Sequence, residues 1–442
     1  MTRKDKKKQI LNLISEYISE NREEEVWIPG RDWIKYSGPY YDEKEYVAAV
    51  DSLLDEWLVM GQKGLSFEKK FPDLLGKKHG ILTNSGSSAN LLMISALKSK
   101  RLYNLPEKSK IITPVAGFPT TINPILQNNF TPVFIDIETE TLNLDLDQLE
   151  AAAKRGAKAL IFAHVLGNPP NMKRVMEIVE KYDLIFLEDC CDALGSSYGG
   201  TKLGSYGDMS SCSFYPAHHI TMGEGGFVST KTEEQEIVVR SMRDWGRGCY
   251  CVGEKANLLK DGCCKKRFSC WLSSMPEQVF DHKYVYQEIG YNLKPIELQA
   301  AMGLEQLKKL ETIDKQRRNN YNQLFKIFEP YEDFFILPRP TKNSDPSWFA
   351  FPLTVRENKI FNRSTITSFF EDCKIQTRNY FAGNVLLHPA YQHLSSLGRA
   401  ALDYPNATKV TIDTFFLGTS PVISEEQMGY IEEKVNIFMS NY

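Results

Sequence analysis

Three stretches of this chain carry side chains whose types and spacing could do chemistry. The segment Ser-Phe-Tyr-Pro-Ala-His-His-Ile-Thr-Met-Gly-Glu-Gly-Gly, residues 213–226, holds His218 and His219 and contains no lysine. Imidazole exchanges protons near neutral pH, so this segment is a candidate for acid–base work. The loop Ser85-Gly86-Ser87-Ser88 lies between an apolar run and a helical stretch. Its small residues let the backbone approach an anion, and the helix N-terminus supplies amide donors for a phosphate; a plain strand-to-helix turn has the same pattern. Cys191, Cys249, Cys251, Cys263 and Cys264 form the third group. Thiolates from several loops can converge on an iron–sulfur cluster or a zinc ion, whereas a lone cysteine is usually a small buried hydrophobe. A Cys-x-Cys within a Gly- and Lys-containing loop fits simple burial poorly.

Short runs over 80–83, 111–114, 132–136, 159–163 and 184–187 are apolar on both faces, and helical periods lie between them. That alternation predicts a buried parallel sheet with helices on its faces. Ligands of such sheets sit at the carboxyl ends of the strands, where the serine loop, Phe118 and Asp189 fall. Asp189 is a site carboxylate or a helix cap, and Phe118 a stacking ring or a core residue. A long helix is expected over 297–328, then a small α+β unit. The expected organisation is a helical appendage over 1–45, a large domain over 46–300 with a cysteine-rich loop at 249–270, and a small domain over 301–442. The appendage includes an aromatic-rich stretch with Trp27, Trp33, Tyr36, Tyr40 and Tyr41.

With 442 residues, 42% hydrophobic and 25% charged, the chain has ordinary globular composition. Its net charge of -3 gives no electrostatic case for binding nucleic acid. No run approaches the roughly 20 apolar residues of a membrane helix, and the basic N-terminus lacks a signal-peptide core. A cytoplasmic protein is expected. Nine cysteines is an odd count, so a disulfide framework is not expected.

In order and spacing, these residues resemble the cofactor site of the sugar-nucleotide aminotransferases, pyridoxal phosphate (PLP) enzymes of the aspartate-aminotransferase fold. The resemblance runs from about Trp57 to the C-terminus. It implies that Asp189 partners the pyridine nitrogen, Phe118 stacks on the ring, and Gly86, Ser87, Ser88 and Ser213 hold the phosphate. It also implies a homodimer in which Asn292 reaches the neighbouring subunit's phosphate. His218 stands where the family has the lysine that tethers the cofactor; imidazole cannot form that Schiff base. Asp192 and Tyr215 stand where glutamine and histidine are usual. Three changes around one retained pocket point to altered catalysis rather than decay.

The cysteines are similar to those of one branch, the CDP-4-keto-6-deoxyglucose 3-dehydrases. That branch combines a histidine at the lysine position with a 2Fe–2S cluster. Fifty-seven residues separate Cys191 from Cys249, as in the branch, and one separates Cys249 from Cys251. The last gap, 12 residues to Cys264, is longer than the branch has, which leaves Cys263 as an alternative fourth ligand. The resemblance implies a CDP-linked 4-keto-6-deoxyhexose substrate that loses its carbon 3 hydroxyl in dideoxysugar biosynthesis for lipopolysaccharide O-antigen. Pyridoxamine phosphate (PMP) would be the cofactor and His218 the base. Electrons would come through the cluster from an NADH-dependent flavin or iron–sulfur reductase. The alternatives are a cluster-free PMP-dependent 3-dehydratase, an aminotransferase, and a non-catalytic protein with a structural zinc.

Overall fold

The computed structural model describes residues 1–24, 26–249, 267–395 and 399–441. Three helices precede the sheet: α1 (Arg3–Glu24), α2 (Glu43–Leu54) and α3 (Gln62–Lys70). Strands β1 (His79–Thr83), β2 (Lys110–Pro114), β3 (Thr131–Ile135), β4 (Ala159–Ala163) and β5 (Ile185–Asp189) follow. They alternate with α4 (Gly86–Ala96), α5 (Pro119–Gln127), α6 (Leu146–Lys154) and α7 (Met172–Lys181). A short ribbon, β6 (Ser197–Tyr198) and β7 (Thr201–Lys202), leads to β8 (Met209–Ser213), β9 (Gly226–Thr230) and α8 (Glu233–Arg243). The large sheet has the order β1-β9-β8-β5-β4-β2-β3, and only β9 runs against its neighbours.

Side-chain alternation along these strands sorts two cores. Leu160, Phe162 and Phe186 enter one core with Phe67, Phe71 and Phe214. Ile161 and Leu187 enter the other, against α4. Continuing the alternation in β5, Glu188 faces the first core and Asp189 faces α4. The helices are set by local chemistry as well. In α7, Asn171 caps the Arg174 amide, while Met172, Val175, Ile178 and Val179 form one buried stripe. Burying such side chains stabilises the fold by about 1.5–3 kcal/mol each before chain entropy is counted.

After the two-residue pair β10 (Phe268–Ser269) and β11 (Phe280–Asp281), α9 (Glu297–Phe328) runs to the C-terminal region. There β12 (Phe335–Ile336), β14 (Ala350–Val355), β15 (Arg378–Asn379) and β16 (Thr414–Gly418) make an antiparallel sheet in the order β12-β14-β16-β15. The two-residue β13 (Ser344–Asp345) pairs instead with β6. Helices α10 (Arg363–Asp372) and α11 (Glu425–Met439) close a core around Phe351, Phe415 and Phe438, into which Ile34 also inserts. At the N-terminus, Lys7 lies between Asp51 (2.8 Å) and Asp55 (2.6 Å), fastening α1 to α2. Among the described residues, no helix is long and apolar enough to cross a membrane.

Candidate active site

A cavity of about 770 Å³ opens at the carboxyl ends of β2, β4, β5 and β8. Its floor is Asp189, 4% exposed. Asn90 Nδ2 and the Thr121 hydroxyl donate to its Oδ2 at 2.7 Å each, and the Cys191 amide donates to Oδ1 at 3.1 Å. The Ser211 hydroxyl lies 3.4 Å from Oδ1 but has a shorter acceptor, Asn90 Oδ1 at 2.7 Å. Oδ1 therefore keeps acceptor capacity. Among the described residues, no cation pairs with this buried carboxylate, which makes it a receptor for a ligand N–H.

The N-terminus of α4 forms one end of the cavity. Ser85 caps it by accepting from the Ser88 amide at 3.1 Å, and Ser88 is turned onto the Ser85 hydroxyl at 3.0 Å. Gly86 and Ser87 line the cavity with first-turn amides, which have no partner within a helix. A Cβ on Gly86 would lie 2.5 Å from Ser213 Cβ and 3.1 Å from Cys191 Sγ, so only glycine lets the loop approach Ser213 this closely. The Ser213 hydroxyl is itself in the lining.

His218 forms the opposite wall. Its ring packs on Phe349 at 5.3 Å and lies 6.5 Å from Tyr215. Its Nδ1 is 3.4 Å from Asp192 Oδ1 yet has no aligned hydrogen bond, so the contact is an ion-pair distance and not a fixed tautomer. Asp192 is buried, whereas Tyr215 and Phe118 are half-exposed at the mouth, Phe118 edge-on to Phe381 at 5.9 Å. His219 points elsewhere: it is buried on the Ser347 carbonyl at 2.9 Å. Burial and the nearby Arg317 charge push its imidazole well below the usual histidine range, so it stays neutral. Asn292 is exposed beside Asp244 and is not in the lining.

Asn90, Thr121, Ser211 and Tyr380 belong to the site without a local sequence signal. Tyr380 lines the cavity, and its fully buried hydroxyl has no partner among the described residues. Their only precursor in the sequence is polarity at positions where periodicity requires burial, as at Asn90 inside apolar α4.

Among the described residues, the cysteines expected as ligands form no compact metal-type group. Cys191 lies under the glycine loop, and burial together with the Asp189 charge pushes its thiol well above the usual range. Cys249 is partly buried, while Cys251, Cys263 and Cys264 lie outside the described residues. Among the described residues, the one compact metal-type group is His164, Glu188 and Cys190, on the other face of β5. There Glu188 meets His164 Nε2 (3.0 Å) and accepts the amides of Gly204 (2.9 Å) and Gly207 (2.6 Å). Burial raises its carboxyl, but the His164 bond and charge, with Lys77 nearby, outweigh that and hold it below the usual range.

The family model described as the DegT/DnrJ/EryC1/StrS aminotransferase family matches residues 40–436. The lipopolysaccharide biosynthesis protein RfbH of Salmonella typhimurium is 41% identical, over 99% of both chains. The dTDP-4-dehydro-2,6-dideoxy-D-glucose 3-dehydratase of Saccharopolyspora spinosa is 39% identical, over 99% of this chain and 93% of its own. Among solved structures, the E. coli GDP-4-keto-6-deoxy-D-mannose-3-dehydratase with bound hydrated PLP superposes with TM-score 0.79 at 26% identity. It covers 91% of this chain and 99% of its own. The fold is aspartate-aminotransferase-like: a large domain on a mostly parallel sheet, with a smaller C-terminal α+β domain.

These findings correct two expectations. The nucleotide expectation was CDP, but the named substrates of these relatives carry dTDP or GDP. The expected 2Fe–2S cluster on Cys191, Cys249, Cys251 and Cys264, with its flavin or iron–sulfur reductase, gives way too. The solved relative is a dehydratase with hydrated PLP, and among the described residues the one compact metal-type group, His164, Glu188 and Cys190, contains none of these cysteines.

Proposed function

The chain belongs to the DegT/DnrJ/EryC1/StrS aminotransferase family, and from that premise we propose that it is a PMP-dependent 3-dehydratase. Its substrate would be a 4-keto-6-deoxyhexose linked to GDP or dTDP, the nucleotides named for its relatives. One observation carries the choice of dehydratase: among the described residues lining the cavity there is an imidazole, His218, and no lysine. The site fits the cofactor in two respects. Gly86 leaves a cradle beside Ser213 that a Cβ would fill, and Asp189 Oδ1 has spare acceptor capacity.

When bound, PMP supplies an amine for the 4-keto carbon and an electron-accepting ring. Asp189 receives the pyridine N–H and keeps that nitrogen protonated. The amides of Gly86 and Ser87 and the Ser213 hydroxyl take the phosphate, with Ser88 holding the cap. Phe118 flanks the ring. His218 moves a proton at the cofactor methylene carbon and is positioned to serve the departing carbon 3 oxygen, while Asp192 supports the charge it gains. Tyr215 at the mouth shields that step from water. Asn292 lies outside this chain's own lining and would serve the neighbouring subunit's phosphate in a homodimer.

The test is the fate of nitrogen. PMP-loaded protein given a GDP- or dTDP-linked 4-keto-6-deoxyhexose should yield a 3-deoxy-4-keto sugar nucleotide and free ammonia. In that balance the carbon 3 hydroxyl becomes C–H as the cofactor is oxidised to PLP. Nitrogen retained as a 4-amino sugar, with the carbon 3 hydroxyl intact, would identify an aminotransferase instead.

A further inference from the structure

Arg317, in the middle of α9, is 1% exposed and, among the described residues, has no carboxylate in contact. The nearest candidates are engaged elsewhere: Asp192 faces His218, and Asp314 pairs with Arg318. Burial pushes its guanidinium down to about 10, with Asp192 and Asp314 opposing at a distance. A buried cation without a counter-ion is destabilising unless its donors are used. Here the Nη donors go to backbone carbonyls of two segments that meet on the His218 wall, while Nε has no partner among the described residues. Nη2 donates to Ala217 and His218 at 3.2 Å each, and Nη1 to Phe349 at 3.0 Å and Trp348 at 3.4 Å.

The two peptides it joins come from different halves of the molecule. Residues 217–218 lie between β8 and β9, whereas 348–349 enter β14 of the small domain. Other donors converge on the same junction. His219 donates to the Ser347 carbonyl at 2.9 Å, the Thr419 hydroxyl to Trp348 at 2.6 Å, and the Ser37 hydroxyl to Ala217 at 2.8 Å. The His218 ring lies on Phe349, whose ring is also 5.8 Å from the Arg317 guanidinium carbon.

We propose that Arg317 is a positioning residue that fixes His218 against the small-domain wall, so that placement of the base and of the small domain are one variable. The proposal rests on the reading of His218 as the base. A planar guanidinium can span four carbonyls, whereas a lysine ammonium has three donors at one point. Misplacing a base by about 1 Å is enough to lower turnover by about 100-fold.

The experiment uses full-length protein with Arg317→Met and Arg317→Lys, followed by amide hydrogen exchange and steady-state kinetics. Exchange should rise together in peptides covering 214–222 and 346–352, with β4 and β5 unchanged. With the nucleotide sugar and an excess of PMP to replace the cofactor oxidised at each turnover, kcat should fall about 100-fold while KM moves less than threefold, and Arg317→Lys should recover part of the loss. If Arg317→Met does not fold, the same two signatures are read from Arg317→Lys. Unchanged exchange, exchange raised in one peptide alone, or a general rise including β4 and β5 would overturn the proposal. So would loosened peptides with kcat within twofold of the parent. His218→Asn separates this from the base assignment: if it retains exchange of the cofactor methylene proton, the base reading fails while the exchange pattern still judges the clamp.

Discussion

On the floor of the cavity, Asp189 is held by three donors from α4, α5 and its own loop, and none of those donors has a better acceptor. On the facing wall, His218 Nδ1 and the Tyr380 hydroxyl are buried without hydrogen bonds, and Asp192 approaches the imidazole without alignment. The floor is a carboxylate held by donors with one acceptor site to spare at Oδ1; the wall holds buried polar atoms with no hydrogen bond among the described residues. Satisfied networks rigidify, whereas orphaned buried groups are costly and persist where a ligand or a reaction uses them. The contrast separates holding the cofactor from moving the proton.

The largest effect expected is from the floor. Asp189→Ala leaves Asn90, Thr121 and the Cys191 amide facing no acceptor, at about 1–3 kcal/mol per orphaned group. It should abolish cofactor binding in a fluorescence titration and lower the urea midpoint as well. Cofactor binding within tenfold of the parent would break the contrast from that side.

A smaller effect is expected at the phosphate end. Gly86→Ala drives a Cβ to 2.5 Å from Ser213 Cβ. Cofactor affinity should fall about tenfold, equivalent to about 1.4 kcal/mol, while kcat at saturating cofactor is nearly retained. Competition by inorganic phosphate should weaken in parallel, which can be measured without any turnover.

The smallest effect on turnover is expected on the far face of β5. The Glu188 carboxyl is depressed in the fold, so its contribution to stability is complete above the ordinary glutamate range and is lost as pH falls through and below it. Glu188→Gln cannot accept from His164, Gly204 and Gly207 together, and should be destabilised by about 1–3 kcal/mol at neutral pH. The gap to the parent should narrow on acidification in pH-dependent denaturant melts. A gap that widens in acid would reverse the sign assigned to Glu188.

Much of the fold was legible because its helices and strands bury one period each. Helices α5 and α9 and strand β4 lie over the residues their apolar spacing predicts. Strand β8 did not announce itself: Met209-Ser210-Ser211-Cys212-Ser213 is fully buried yet carries three hydroxyls, so no apolar run marks it. The site divides similarly. Asp189, ending an apolar strand, and Gly86, in a glycine loop, carry signals of their own, while Ser213 and His218 lie in one short segment; all four line one cavity. Asn90 and Arg317 sit inside helices, and only tertiary packing brings them to the site. Cysteine spacing misled for a physical reason. Spacing cannot tell a thiolate ligand from a buried thiol.

The most direct test of the central claim is exchange of the PMP methylene hydrogens with deuterated solvent, followed by NMR in the parent protein and in His218→Asn. The account predicts stereospecific exchange in the parent. In the variant, exchange should slow by about 10²–10⁴-fold, with cofactor affinity and the unfolding midpoint nearly unchanged, because the imidazole Nδ1 has no hydrogen bond to lose. Exchange in His218→Asn at the parent rate, with PMP bound equally well, would contradict it.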